Sequence, residues 1–219
     1  MEYLSAFYRQ EGENASSLLL LQAYYKPKRM PVLLAAVCEK NPPGGECPEK
    51  NGVLLALKDW FYDKGLFLCA EKGDGGWNRA LKRLEQNPLA CGADFCAFLC
   101  AGRHFLQFGR GEQRVYLLNT RNNRRVCRKL SQTCRREGNM QERSTQEGFM
   151  QGGIMQGGIG ILLVTSGFQR AADEAYLAET FDRETLRTEK AMEERIKRAG
   201  AFLERRGGSD MGAVFLTIR

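Results

Sequence analysis

The sequence predicts an α+β domain in which antiparallel sheets are layered with helices. Three observations predict it. Apolar runs of strand length, too short for helices, open the chain and recur through its middle. Turn residues separate neighbouring runs by only a few positions, which pairs strands antiparallel and leaves no room for crossover helices. Helical spacing is confined to two blocks, one after the second strand and one before the last, so strands and helices are segregated rather than alternating. The 219 residues are enough for a sizeable core and are assigned to one domain, 1–219.

The first block, Leu18–Tyr25, is apolar and aromatic and is expected to be a buried strand. Lys26-Pro27-Lys28 marks a turn, and Val32–Cys38 is a second strand pairing with the first. Asn41-Pro42-Pro43-Gly44-Gly45 forms a loop, since two prolines fix φ and two glycines free it. From Glu49 to Tyr62 the apolar residues Val53, Leu54, Leu57, Trp60 and Phe61 fall at helical spacing. A second helix is expected over Trp77–Glu85, with Gly73, Gly75 and Gly76 breaking the chain before it. Strands follow at Asp94–Ala101, Phe105–Phe108, Arg114–Leu118 and Val126–Leu130, with tight turns at Gly102-Arg103 and Asn119–Asn123. Residues 135–158 are polar and glycine-rich, and the pentad Met150-Gln151-Gly152-Gly153-Ile154 is repeated once at 155–159. One repeat is too little for a solenoid, so the stretch is expected to be a flexible loop. Ile161–Val164 is a strand that ends at Thr165-Ser166-Gly167. A helix-rich segment spans Ala171–Arg206. Its later part, Glu184–Arg206, is amphipathic through Leu186, Met192, Ile196, Phe202 and Leu203, and Gly207-Gly208 stops it. Ala213–Ile218 closes the domain as a strand.

Composition narrows the function classes. Hydrophobic residues at 43% and charged residues at 27% are an ordinary globular balance. The longest apolar run, Leu18–Leu21, is far below the roughly 20 residues of a membrane helix, and Met1-Glu2-Tyr3 opens no signal peptide. A cytoplasmic location without membrane partners is expected. The eight cysteines include no Cys-x-x-Cys pair and only one histidine accompanies them, so they are expected to be reduced thiols acting as small hydrophobes. His104 has no evident nucleophile or orienting acid and is expected at a surface turn. The glycine runs lack the lysine and hydroxyl residue of a phosphate-binding loop. The net charge is +7, and Arg121, Arg124, Arg125, Arg128, Lys129, Arg135 and Arg136 cluster in one stretch. No aromatic residue interleaves them to stack bases, which argues against nucleic acid and for a solvated strand edge.

Several segments, in this order, resemble the metal-dependent (type 2C, PPM) Ser/Thr protein phosphatases. Gly12–Ser17 is similar to the family's opening Arg-x-x-Asn-Glu/Gln-Asp-Ser segment. Leu33–Glu39, followed by Gly44-Gly45-Glu46, is similar to its strand, Asp-Gly-Met-Gly-Gly loop and downstream Gly-Glu. Phe108-Gly109 through Gln113–Leu118 resembles its Gly-Asp-Ser-Arg-x-Tyr-Leu hairpin, and Gly160–Gly167 its strand ending in Ser-Asp-Gly. Gly207-Gly208-Ser209-Asp210-Met211 with Ala213–Leu216 resembles its terminal Gly-Ser-x-Asp-Asn strand entry. The resemblance implies a four-layer α-β-β-α sandwich of two antiparallel sheets flanked by helices.

It also implies phosphoester hydrolysis by two divalent cations, Mn²⁺ or Mg²⁺, held by about four carboxylates. Position by position the chain departs from that pattern. The opening Glu/Gln-Asp is Ala15-Ser16, the phosphate-gripping arginine is Glu11, and the metal-loop Asp-Gly is Glu39-Lys40. The Ser-Asp-Gly aspartate is Ser166. Asp210 alone stands unchanged, followed by Met211 in place of Asn. Glu39 and Asp210 are the implied remaining metal ligands. A second register would use Asp74 of Glu71–Gly76 as the loop ligand; the first leaves room for both helices before Gly92. The expected function is a pseudophosphatase without cofactor, serving as an interaction module for a phosphoprotein or kinase-type signalling partner. Two alternatives stay open: an active Mn²⁺- or Mg²⁺-dependent phosphatase that rebuilds one site from Asp210, Glu39 and Asp74 or Asp94, and a nucleic-acid-binding protein using 121–136.

Overall fold

The computed structural model describes residues 2–10, 17–26, 29–38, 50–65, 95–110, 114–121, 124–129, 142–145, 148–154, 159–181 and 187–218. Their strands are β1 (Tyr3–Arg9), β2 (Ser17–Tyr25), β3 (Met30–Cys38), β4 (Phe95–Ala101), β5 (His104–Arg110), β6 (Val115–Arg121), β7 (Arg124–Lys129), β8 (Glu142–Thr145), β9 (Gly148–Ile154), β10 (Gly160–Val164) and β11 (Gly212–Ile218). Their helices are α1 (Lys50–Trp60), α2 (Ser166–Ala171), α3 (Glu174–Thr180) and α4 (Glu189–Arg205). Two antiparallel sheets result, one ordered β1-β11-β10-β6-β7 and the other β2-β3-β4-β5-β9-β8.

The central strands explain the layering. In β3, Val32, Leu34, Ala36 and Cys38 pack toward α1, while Leu33, Ala35 and Val37 pack toward the other sheet. In β10, Leu162 and Val164 face α2–α4, while Ile161 and Leu163 face the inter-sheet core. Strands buried on both faces carry apolar side chains at every position, so they read as unbroken runs. Three cores follow: helix α1 on the six-stranded sheet, sheet on sheet, and α2–α4 on the five-stranded sheet. This is the α-β-β-α sandwich.

Several expectations need correction. β2 is an edge strand and half-buried: Leu19, Leu21, Ala23 and Tyr25 pack toward α1 and Leu18 and Leu20 toward the other sheet, while Gln22 and Tyr24, farther along the second face, are exposed. No element was expected at 3–9, yet β1 pairs with β11 along its whole length. Within 135–158 there is not a flexible loop throughout: β8 and β9 form a hairpin, and β9 contains the first Met-Gln-Gly-Gly-Ile pentad. Pairing of the backbone with β5 supplies what glycine side chains cannot. The C-terminal helical segment is three helices, capped at their starts by Thr165, Asp173 and Thr188. Thus α4 starts at Glu189, later than expected, because the Thr188 hydroxyl accepts from the Ala191 amide in place of a preceding turn. After α1 the chain makes a π-helical turn, Phe61–Gly65, where the consecutive aromatics Trp60 and Phe61 are both buried. The helix expected at 77–85, the loop at 41–45, Glu39 and Asp74 lie outside the described residues.

Other expectations hold in detail. Gly102 has φ +59 in the two-residue turn between β4 and β5, where its freedom is needed. His104 follows it, exposed. Gly207, at φ +86, donates to the Glu204 carbonyl and Gly208 to the Leu203 carbonyl, which closes α4 with a Schellman motif. The described cysteines Cys38, Cys96, Cys100 and Cys127 are buried in the cores as thiols.

Candidate functional site

The orientation of the two sheets decides which strand ends meet. Tyr3, at the start of β1, donates its hydroxyl to the Gly102 carbonyl at 2.8 Å, and the same oxygen lies 3.2 Å from the Pro31 carbonyl. Two residues along, Gln22 donates to the Ser5 hydroxyl at 2.9 Å. β1 and β3 therefore run in the same direction, one in each sheet. Their far ends gather at one end of the sandwich: Arg9 beside Gly212, Val164 beside Ala213, and Cys38 beside Phe95 and Ser17. Glu39 follows Cys38 directly in sequence. Asp210 precedes β11 at this same end.

A compact hydrogen-bond knot builds the Asp210 turn. Thr165, fully buried, ends β10 and caps α2. Its hydroxyl donates to the Asp210 carbonyl at 2.9 Å, accepts from the Gly212 amide at 2.9 Å, and accepts from the Phe168 amide at 3.5 Å. One donor and two acceptor positions are thereby all used. The Thr165 amide in turn donates to the Gly212 carbonyl at 2.9 Å. From the other side, Gln10 accepts from the Met211 amide at 3.1 Å, and its own amide donates to the Met211 carbonyl at 2.9 Å. Asp210 sits in the left-handed region, φ +52, which Asp tolerates better than most residues. Gly167 has no room for a side chain: a Cβ would lie 1.8 Å from the Ser209 carbonyl oxygen and 2.8 Å from that of Asp210. The turn is thus seated directly against the start of α2, with the Asp210 residue exposed.

The tertiary structure consequently brings together two positions that the sequence separates by more than forty residues. Ser166, half-buried on the first turn of α2, stands next to the Asp210 turn through its neighbours Thr165 and Gly167. Arg9 ends β1 there, and Arg114, buried, precedes β6, its carbonyl accepting from the Val164 amide at 3.0 Å. Thr165, Gly167 and Gln10 are the residues that sequence comparison with the phosphatase pattern did not single out as positioning groups. The signal for Thr165 and Gly167 was that they flank Ser166 in the Ser-Asp-Gly match, and Gln10 lies just before the opening segment.

Divalent cations of the Mg²⁺ or Mn²⁺ type need several oxygen ligands and carboxylate charge. Among the described residues, no three His, Cys, Asp or Glu side chains come together. Around the Asp210 turn the described residues offer the Asp210 carboxylate, the neighbouring Ser166 hydroxyl, and the arginines Arg9 and Arg114. That set does not fit a pair of divalent cations.

No protein-family model matches the sequence, and no curated protein matches it either. Solved structures do match the fold. A serine/threonine phosphatase of S. agalactiae superposes with a TM-score of 0.60 at 14% identity, over 100% of both chains. The catalytic domain of the serine threonine protein phosphatase PstP, solved with two manganese ions, gives 0.56 at 19% identity over 98% of each. The phosphatase domain, with a regulatory fragment, of the cell fate determinant SpoIIE from Bacillus subtilis gives 0.63 at 10% identity, over 100% of this chain and 64% of that one. At such identities the likeness establishes the fold: this chain has the α-β-β-α sandwich of the metal-dependent Ser/Thr phosphatases.

Proposed function

We propose that the chain is a divergent member of the metal-dependent Ser/Thr phosphatase family that keeps the scaffold and has lost the hydrolytic chemistry, acting as a cytoplasmic interaction module for a phosphoprotein or kinase-type signalling partner. The observation that carries this is the placement of Ser166 next to the Asp210 turn. Where the family pattern has two aspartates, the Asp210 turn is seated against Thr165 and Gly167, the two neighbours of Ser166, and at position 166 the side chain is a hydroxyl. Replacing a carboxylate by a hydroxyl removes both a strong ligand and a charge that offsets the cations. Asp210 and Glu39 are the carboxylates left to that site, too few for two ions. The tight construction of the Asp210 turn is consistent with an end of the sandwich kept as a shaped surface.

The test is hydrolysis of a generic phosphate ester with excess Mn²⁺ by the unmodified chain and by Asp210→Ala. No turnover by either protein is the expected result. Turnover that Asp210→Ala abolishes would mean a working metal site has been rebuilt, and the proposal would fall.

A further inference from the structure

The net charge of this protein has a single address. Of its 33 lysines and arginines, seven lie in residues 121–136, a stretch with no aspartate or glutamate; the other 26 are balanced by the chain's 26 carboxylates. The whole +7 therefore belongs to this stretch. Five of its seven cations fall on one hairpin, Arg121 on β6 and Arg124, Arg125, Arg128 and Lys129 on β7. β7 is the last strand of the five-stranded sheet, and among the described residues it pairs with β6 alone. A terminal strand carries backbone amides and carbonyls on its outer side, a template for one more strand.

The opposite edge of the same sheet is built differently. There the Glu189 carboxylate, from the start of α4, accepts from the Ser5 amide of β1 at 3.4 Å. That edge has a carboxylate against its backbone, whereas the β7 edge has four cations in six residues. Cationic charge on an edge prevents pairing with a second copy of itself, since like charges face each other. It has the reverse effect on an extended acidic segment, which gains both backbone hydrogen bonds and charge attraction. Nucleic acid is the weaker match. Residues 121–136 contain no aromatic side chain to stack a base, and a nucleic acid has no amide ladder to complete the sheet.

We infer that the β7 edge is a docking site for an acidic polypeptide segment, which adds to the five-stranded sheet as a further strand beside Arg124–Lys129. This assignment is independent of whether the Asp210 end turns over phosphate.

The probe is a labelled synthetic peptide of alternating glutamate and valine, followed by fluorescence anisotropy with the full chain. A single-stranded oligonucleotide of equal charge and the same peptide N-methylated at alternate residues serve as comparisons. The peptide is expected to bind, and Arg124→Glu/Arg128→Glu to weaken it by on the order of tenfold or more. Raising salt from about 50 mM to about 500 mM should weaken it similarly, since the screening length falls severalfold. The milder Arg124→Gln/Arg128→Gln pair should show a smaller loss in the same direction, and the N-methylated peptide, used on unmodified protein, should lose most of its binding. Equal binding by the N-methylated peptide would overturn strand addition. Tighter binding of the oligonucleotide would assign the edge to nucleic acid instead. Unchanged affinity in both substituted proteins would remove the site from β7 altogether.

Discussion

Replacing Thr165 by valine tests the construction of the Asp210 turn with almost no change of shape. The hydroxyl is fully buried and serves three backbone groups: the Gly212 amide, the Phe168 amide and the Asp210 carbonyl. Valine leaves all three without it. The Gly212 amide is buried and loses a 2.9 Å bond, which costs about 1–3 kcal/mol for an orphaned donor. The 3.5 Å capping bond to Phe168 is long, and its loss adds about 0.5–1 kcal/mol. The Asp210 carbonyl belongs to an exposed residue and can turn to water, so its contribution is small. The expected total is about 2–4 kcal/mol, or on the order of 10 °C in Tm for a chain of this size. Thr165→Ser keeps the hydroxyl and loses one methyl group, about 1 kcal/mol. Urea unfolding followed by tryptophan fluorescence measures both. If the valine protein is as stable as the serine protein, the hydroxyl does not hold the turn and the reasoning fails.

Gly167→Ala should destabilise by about 1–3 kcal/mol or more, because its Cβ meets hydrogen-bonded backbone at 1.8 Å and not a side chain that can swing away. Faster hydrogen exchange at the Gly212 amide would show the turn lifting off α2, and unchanged exchange would argue against it. Gln107 is fully buried between the sheets, and among the described residues neither its amide nitrogen nor its carbonyl oxygen has a hydrogen-bond partner. Gln107→Leu is accordingly expected to raise stability by about 1–2 kcal/mol in the same urea assay, and a loss would mean the carboxamide is satisfied by water. Stability should also fall at alkaline pH. Burial, then the Glu174 charge, pushes the Cys127 thiol up to about 12, and burial alone pushes Cys100 up as well. Burial, with the Glu204 hydrogen bond and charge, raises Tyr8 in the same direction. The folded state holds these protons while the unfolded state releases them. The stabilisation is therefore complete below the ordinary thiol range, near pH 9, and is lost as pH rises toward 12. A flat stability profile from pH 8 to about 11 would contradict this.

The material of each layer is written in the order of side chains along the chain. Val32–Cys38, Phe95–Ala101, Ile161–Val164 and Ala213–Leu216 are apolar at nearly every position, and only strands covered on both faces require that. That order also fixed local stops that depend on a few neighbouring residues, such as Gly102 in its turn and Gly207-Gly208 after α4. What spacing could not supply was long-range partnership. Tyr3–Arg9 shows no clean alternation, because its outer positions include the exposed Phe7 and the partly buried Tyr8, so only its pairing with β11 makes it a strand. The glycine-rich pentad at 150–154 has little side chain to report a face, and only β5 and β8 on either side decide that it is sheet. The candidate site follows the same division. Asp210 and Ser166 were legible as residues, since their types and neighbours match a motif. Their nearness depends on Thr165 and Gly167, on a left-handed backbone at Asp210, and on two sheets whose relative direction is fixed by contacts such as that of Tyr3 across nearly a hundred residues. Those are properties of packing between distant segments, and they exist only once the sandwich has formed.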